Sequence, residues 1–98
     1  METLHLEIVT PNGLIFSNDV KSVVLPGKEG EFGVLPRHAS LVSLLNAGVV
    51  DIELSSGNHE IVAGDWGYAE VSENKVDVLV DGAILVSGSN ESEIAKKL

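Results

Sequence analysis

The stretch LHLEIVTPNGLIF, residues 4–16, decides the fold. Leu4, Leu6 and Ile8 alternate with His5 and Glu7, a period of two that places one set of side chains on one face of a strand and the other set on its back. Pro11-Asn12-Gly13 then marks a turn, and apolar residues resume at Leu14-Ile15-Phe16. The same rhythm returns further along. Val50, Ile52 and Leu54 alternate with Asp51 and Glu53, and Val76, Val78 and Val80 with Asp77 and Leu79. Valine and isoleucine dominate these runs, as suits a pleated, half-buried surface.

Turn signals divide the rest of the chain at short intervals. Asn18-Asp19 precedes a run over 20–25, and Ala47-Gly48 separates 41–45 from 49–54. Ser56-Gly57-Asn58 closes a hairpin onto 60–63, Glu73-Asn74 joins 66–71 to 75–80, and Asp81-Gly82 precedes 83–86. About ten short strands connected in this way predict an all-β domain of two packed sheets, a β-sandwich, over residues 1–86. The tail, 87–98, reads differently. Ser87-Gly88-Ser89-Asn90 is a breaker, and ESEIAKKL has acidic residues in its first turn and Lys96 and Lys97 near its end, the pattern of the start of a short helix.

Composition sets the outer bounds. Ninety-eight residues, 44% of them hydrophobic, make one domain. A chain of this size buries roughly 65% of its unfolded surface, enough for one core. There is no cysteine, so neither a disulfide framework nor a thiolate metal site is available. A net charge of −9 argues against nucleic acid, whose phosphates need a basic surface, and permits a basic protein partner. No apolar run reaches the ~20 residues of a membrane span, and the N-terminus has no basic region of the kind that opens a signal peptide.

The segment PGKEGEFGVLPRH, residues 26–38, invites a chemical reading and resists it. Gly27, Gly30 and Gly33 do not follow the G-x-G-x-x-G order, no G-K-[ST] follows them, and Glu29 and Glu31 would repel a phosphate. The glycines read as a tight loop, with Phe32 either plugging one end of the sandwich or standing on a protruding contact loop with an acidic tip. His5, His38 and His59 fall on three separate elements, without H-E-x-x-H or a cysteine to help form a zinc site. G-x-S-x-G is also missing. His38 reads as a structural hydrogen-bonding residue at a corner, His59 as a solvated turn residue. Trp66 and Tyr68, on one face of one strand, read as core. The sequence therefore offers no catalytic, cofactor-binding or metal-binding residues. As a stand-alone reading it leaves open a small-ligand-binding sandwich that uses the 27–33 loop as a lid.

Certain residues carry a more specific resemblance. Gly27, Gly30-Glu31, Gly33-Val34, Pro36, His38-Ala39, Leu41 and Gly48, with Gly64-Asp65-Trp66-Gly67 and Val76-Asp77-Val78-Leu79-Val80, resemble the epsilon subunit family of F-type ATP synthases over residues 2 to 86. The resemblance implies a ten-stranded β-sandwich and a non-catalytic rotor subunit of the central stalk. Such a subunit docks on the gamma subunit and the ring of c subunits and couples proton flow to ATP synthesis. It implies a c-ring contact at Glu29, Gly30, Glu31, Phe32 and Gly33, and a gamma contact at Thr10, His38 and Ser43. The location implied is the cytoplasmic side of a cell inner membrane, with the chain held there through the complex. Relatives commonly continue as two helices and some bind ATP through I-D-x-x-R-A at the first. Here that stretch is Asn90-Glu91-Ser92-Glu93-Ile94-Ala95, with Ile94 at the arginine position, so no nucleotide is expected. Position 40, proline in many relatives, is Ser40.

Overall fold

The computed structural model describes residues 2–86. They form ten strands: β1 (Leu4–Thr10), β2 (Gly13–Val20), β3 (Ser22–Gly27), β4 (Gly30–Val34), β5 (Leu41–Leu45), β6 (Gly48–Glu53), β7 (His59–Gly64), β8 (Gly67–Ser72), β9 (Lys75–Val80) and β10 (Ala83–Val86). The helix read in 87–98 lies outside the described residues. The strands follow one hydrogen-bonded path, β10-β7-β6-β3-β5-β8-β9-β1-β2, with β4 paired to β3. This path doubles back where β3 meets β5, at the single register pair Gly27–Leu45. One layer thus holds β10, β7, β6, β3 and β4, and the other holds β5, β8, β9, β1 and β2. The expected sandwich is present, with its two sheets hinged along one side.

The alternation read in the sequence builds the core. Leu4, Leu6 and Ile8 from β1 and Val76, Val78 and Val80 from β9 are buried, and they meet Val23, Leu25, Val50, Ile52 and Val62 from the opposite layer. β1 and β9 run parallel, and the remaining neighbours are antiparallel. Apolar side chains removed from water on facing sheets are what hold the layers together.

Two turn assignments change. Asn18 and Asp19 do not form a turn. They continue β2 opposite Leu6 and His5, and the chain bends at Lys21 instead. Asp19 is kept in the strand by its partner across the ladder, since its carboxylate meets His5 Nδ1 at 2.8 Å. The segment read as a loop at 27–33 is a hairpin: β4 pairs with β3 from Gly27–Gly30 to Val23–Val34. Its tip is Lys28-Glu29, and Glu31 lies on the strand rather than at the tip.

Register sorts the connections into two ends of the sandwich. Thr10–Gly13, Leu45–Gly48, Gly64–Gly67, Val80–Ala83 and the β3–β4 tip share one end, through the pairs Leu45–Gly67, Gly67–Val80, Gly48–Gly64 and Gly27–Leu45. The corner at Pro36-Arg37-His38 lies at the other end. There Arg37 N donates to Glu73 O at 2.7 Å and Arg37 Nε pairs with Glu2 at 2.8 Å.

Candidate functional site

The outer face of the β5-β8-β9-β1-β2 layer carries an unusual row. Leu44 pairs with Tyr68, Tyr68 with Leu79, Leu79 with Val9 and Val9 with Leu14, so five apolar or aromatic side chains cross the sheet in register. Leu44 and Leu14, the two ends of the row, are 58% and 60% exposed, and Trp66, just before β8 and two residues from Tyr68, is 67% exposed. A contiguous apolar patch of this kind on a small domain marks a contact surface. Beside the row, a groove of about 350 Å³ is lined by Val9, Thr10, Pro11, Trp66, Tyr68 and Leu79, among others, and its walls are mostly hydrocarbon. The next row over begins at the exposed Val42 and is otherwise polar: Val42 faces Glu70, Glu70 faces Asp77, Asp77 faces Glu7 and Glu7 faces Ser17.

Trp66 and Tyr68 therefore correct the sequence reading. They point outward, and the buried residues of their strand are Gly67, Ala69 and Val71. The cause is local. A Cβ at Gly67 would press on the Leu79 carbonyl and stand 2.7 Å from Val80 Cα, so the inward side at the start of β8 has no room for a side chain. With Gly67 forced inward, its neighbours Trp66 and Tyr68 must face out. Sequence reasoning missed this row. The signal available was parity: Tyr68 has the same phase as Glu70, not as Val71.

The residues singled out by resemblance are not all together. In the β3–β4 hairpin, Gly27 is buried because the Phe32 ring lies over it; a Cβ there would be 2.8 Å from that ring and 2.6 Å from Gly30 O. Phe32 is thus half-buried against the core, which is the plug reading of this residue. Gly30 adopts φ +125°, a conformation that favours glycine and makes the tight turn possible. Glu29, Gly30, Glu31 and Gly33 are exposed. The tip is tied to β5, with Lys28 N donating to Leu44 O and Asn46 N to Pro26 O, both at 2.9 Å. It therefore lies at the same end as Thr10 and Trp66.

Thr10 is buried, and its hydroxyl is used within its own turn, donating to Gly13 O at 3.3 Å and accepting from Asn12 N at 3.1 Å. Ser43 sits on β5 between the exposed Val42 and Leu44, with Oγ donating to Leu44 O at 3.0 Å. His38 is at the far end, its Nδ1 donating to Ala39 O at 2.7 Å. The local hydrogen bond expected for His38 is thus present. His59 is not in the turn; it opens β7 and meets Asp51 Oδ1 at 2.7 Å.

Two histidine clusters titrate. The hydrogen bond to Asp19, backed by that to Glu7 at 3.2 Å, raises the pKa of His5 above its ordinary 6.5, and the bond to Asp51 raises that of His59. The same His5 contact, with Ser17, lowers that of Glu7. A raised histidine pKa means stability that is fully present below the unfolded value and lost as pH rises through the folded one. We expect the melting temperature to decline as pH rises from the ordinary histidine value of 6.5 through the raised values of the folded state, and His5→Gln to flatten part of that slope, as read by thermal melts across pH. Among the described residues there is no group of three or more His, Cys, Asp or Glu side chains that could hold a metal.

These features define a class: a small β-sandwich whose outer face presents an apolar row. The model of the ATP synthase, Delta/Epsilon chain, beta-sandwich domain matches residues 3–86. The chain is 70% identical over 98 residues to the ATP synthase epsilon chain of Campylobacter fetus subsp. fetus (strain 82-40), covering all of this chain and 76% of that one. It is 64% identical to that of Campylobacter curvus (strain 525.92), with the same coverage. The chain belongs to the ATP synthase epsilon chain family. Its fold also matches a chain in a structure of the Euglena gracilis mitochondrial ATP synthase (OSCP/F1/c-ring), with a TM-score of 0.81 at 24% identity, covering 97% of this chain and 61% of that one. A chain in the central stalk/c-ring structure of the Tetrahymena thermophila mitochondrial ATP synthase matches with a TM-score of 0.71 at 14% identity, covering 85% and 66%.

Proposed function

We propose that this chain is a non-catalytic rotor subunit in the central stalk of an F-type ATP synthase, one that transmits coupling between proton flow and ATP synthesis. The observation that carries the reading, beside family membership, is the outward apolar row Leu44–Tyr68–Leu79–Val9–Leu14. We assign that row to the gamma subunit. Of the gamma-side residues implied by resemblance, Thr10 lines the adjoining groove, whereas Ser43, paired with the buried Ala69, is on the opposite face of β5 from Leu44, and His38 is remote from the row. The β3–β4 hairpin, with Glu29 to Gly33, is assigned to the c ring, and its exposed carboxylates suit a basic surface, where charge complementarity steers docking. The sandwich is taken as residues 1–86, working on the cytoplasmic side of a cell inner membrane and held there through the complex.

Titration of the chain into purified gamma subunit, followed by heat of binding, tests the first contact. Saturable one-to-one binding is expected; a folded chain that gives no heat and no co-elution overturns the assignment. For the second contact, Glu31→Arg is expected to weaken assembly onto the c ring while the isolated chain melts as the wild type does. Unchanged proton-coupled ATP synthesis by the variant complex would count against the hairpin as a docking element.

A further inference from the structure

The hairpin assigned to the c ring has a property that its side chains do not reveal. β4 pairs with β3 on one side, and among the described residues it has no other strand partner. Which of its backbone groups are free follows from Pro26. That residue has no N–H, and its carbonyl accepts from Asn46 N on the β5 side, away from β4. In an antiparallel ladder the two residues of a pair point their N–H and C=O groups either both toward each other or both away. Pro26 is opposite Glu31, so the main-chain groups of Glu31 point away from β3. By alternation those of Gly33, opposite Val24, do the same. The exposed edge of β4 therefore displays two N–H and two C=O groups, at Glu31 and Gly33.

The side chains leave this edge open. Phe32 is held inward over Gly27, and a Cβ at Gly33 would meet nothing within 4 Å. Glu29 and Glu31 are exposed, and among the described residues neither has an ion-pair partner. A strand edge left unpaired in this way is a template for another backbone. We infer that the edge of β4 is a strand-addition site: an extended backbone segment pairs with the free groups of Glu31 and Gly33 while a basic side chain on it meets the Glu31 carboxylate. On the reading given above, on which this rests, the segment belongs to the c ring. The main chain supplies the grip and Glu31 the orientation.

The experiment uses a gamma–c-ring subcomplex and the 98-residue chain. Amide exchange followed by NMR should slow at least tenfold at Glu31 and Gly33 on docking. Phe32, whose amide faces β3, should change little. Gly33→Pro removes an outward N–H that β3 does not use and should weaken docking at least tenfold, whereas Gly33→Ala, which keeps the N–H, should stay within twofold. Proline is tolerated on the solvent side of an edge strand. If Gly33→Pro does not fold, the exchange pattern decides alone. Docking that depends on Glu31 but leaves the Glu31 and Gly33 amides exchanging as in the free chain overturns strand addition and spares the c-ring assignment. Docking that is indifferent to Glu31→Arg, with those amides also unprotected, overturns both.

Discussion

Gly67→Ala is expected to destabilise the sandwich by about 3 kcal/mol or more, at the upper end of what inserting a methyl into a packed site costs. The added Cβ would press on the Leu79 carbonyl, with Val80 Cα at 2.7 Å and Leu79 C at 2.9 Å. All three are main-chain atoms of β9, the strand that pairs with Gly67 through Val80. No rotamer change relieves such a contact, so β8 and β9 must part at the end of the sandwich where β5 also joins. For a domain of this size the loss corresponds to a fall in melting temperature of roughly 15 °C. Gly33→Ala is the control: a Cβ there has open space, and its effect should lie within about 0.5 kcal/mol. Urea unfolding of the two variants side by side measures the difference. A Gly67→Ala chain within about 0.5 kcal/mol of the wild type, as expected of free surface sites, would show that the two strands yield more readily than their close approach implies.

The alternation of Leu4, Leu6 and Ile8 with His5 and Glu7 was legible because one face of β1 is buried and the other is not, and period two records that difference directly. The same holds for β9 and for Val50 and Ile52 of β6. Asn18-Asp19 misled because turn-forming residues are also tolerated in an edge strand when a partner holds them, and the partner of Asp19, His5, is fourteen positions away in sequence. β4 was hidden for another reason. Phe32 and Gly30 are placed there by close packing against Gly27 and by the turn at Gly30, and neither relation has a periodic signature.

The functional face was the least legible part. Large aromatic residues belong inside on average, and only the crowding at Gly67 sets Trp66 and Tyr68 on the outside. Nor does any single strand reveal the row, since its five members come from five strands and meet only through register. The carboxylates carried a similar lesson. Glu29 and Glu31 were visible as acidic residues, but the free backbone beside them followed only from the direction of the Pro26 carbonyl.

Tyr68→Glu, alone or with Leu44→Glu, is expected to abolish most of the affinity for gamma while leaving the chain folded. Tyr68 lies within the row, with Leu44 on one side and Leu79 on the other, and the residue is 37% exposed in the free chain. An aromatic flanked by apolar neighbours in a contact surface is the kind of residue whose loss costs about 2 kcal/mol or more, or roughly a 30-fold rise in Kd. A carboxylate at that point adds the cost of burying a charge against a surface that has to exclude water. The fold should tolerate the change, because the side chain contributes to the outer face and not to the core. The comparison is Ile84→Glu on β10, a residue 72% exposed on the opposite layer, where the same kind of charge is introduced away from the row. Calorimetric titration against gamma should separate them, with Ile84→Glu binding like the wild type. Equal losses at both positions would mean that gamma wraps the sandwich or that added charge acts at long range, and binding by Tyr68→Glu at wild-type strength would remove the row from the interface.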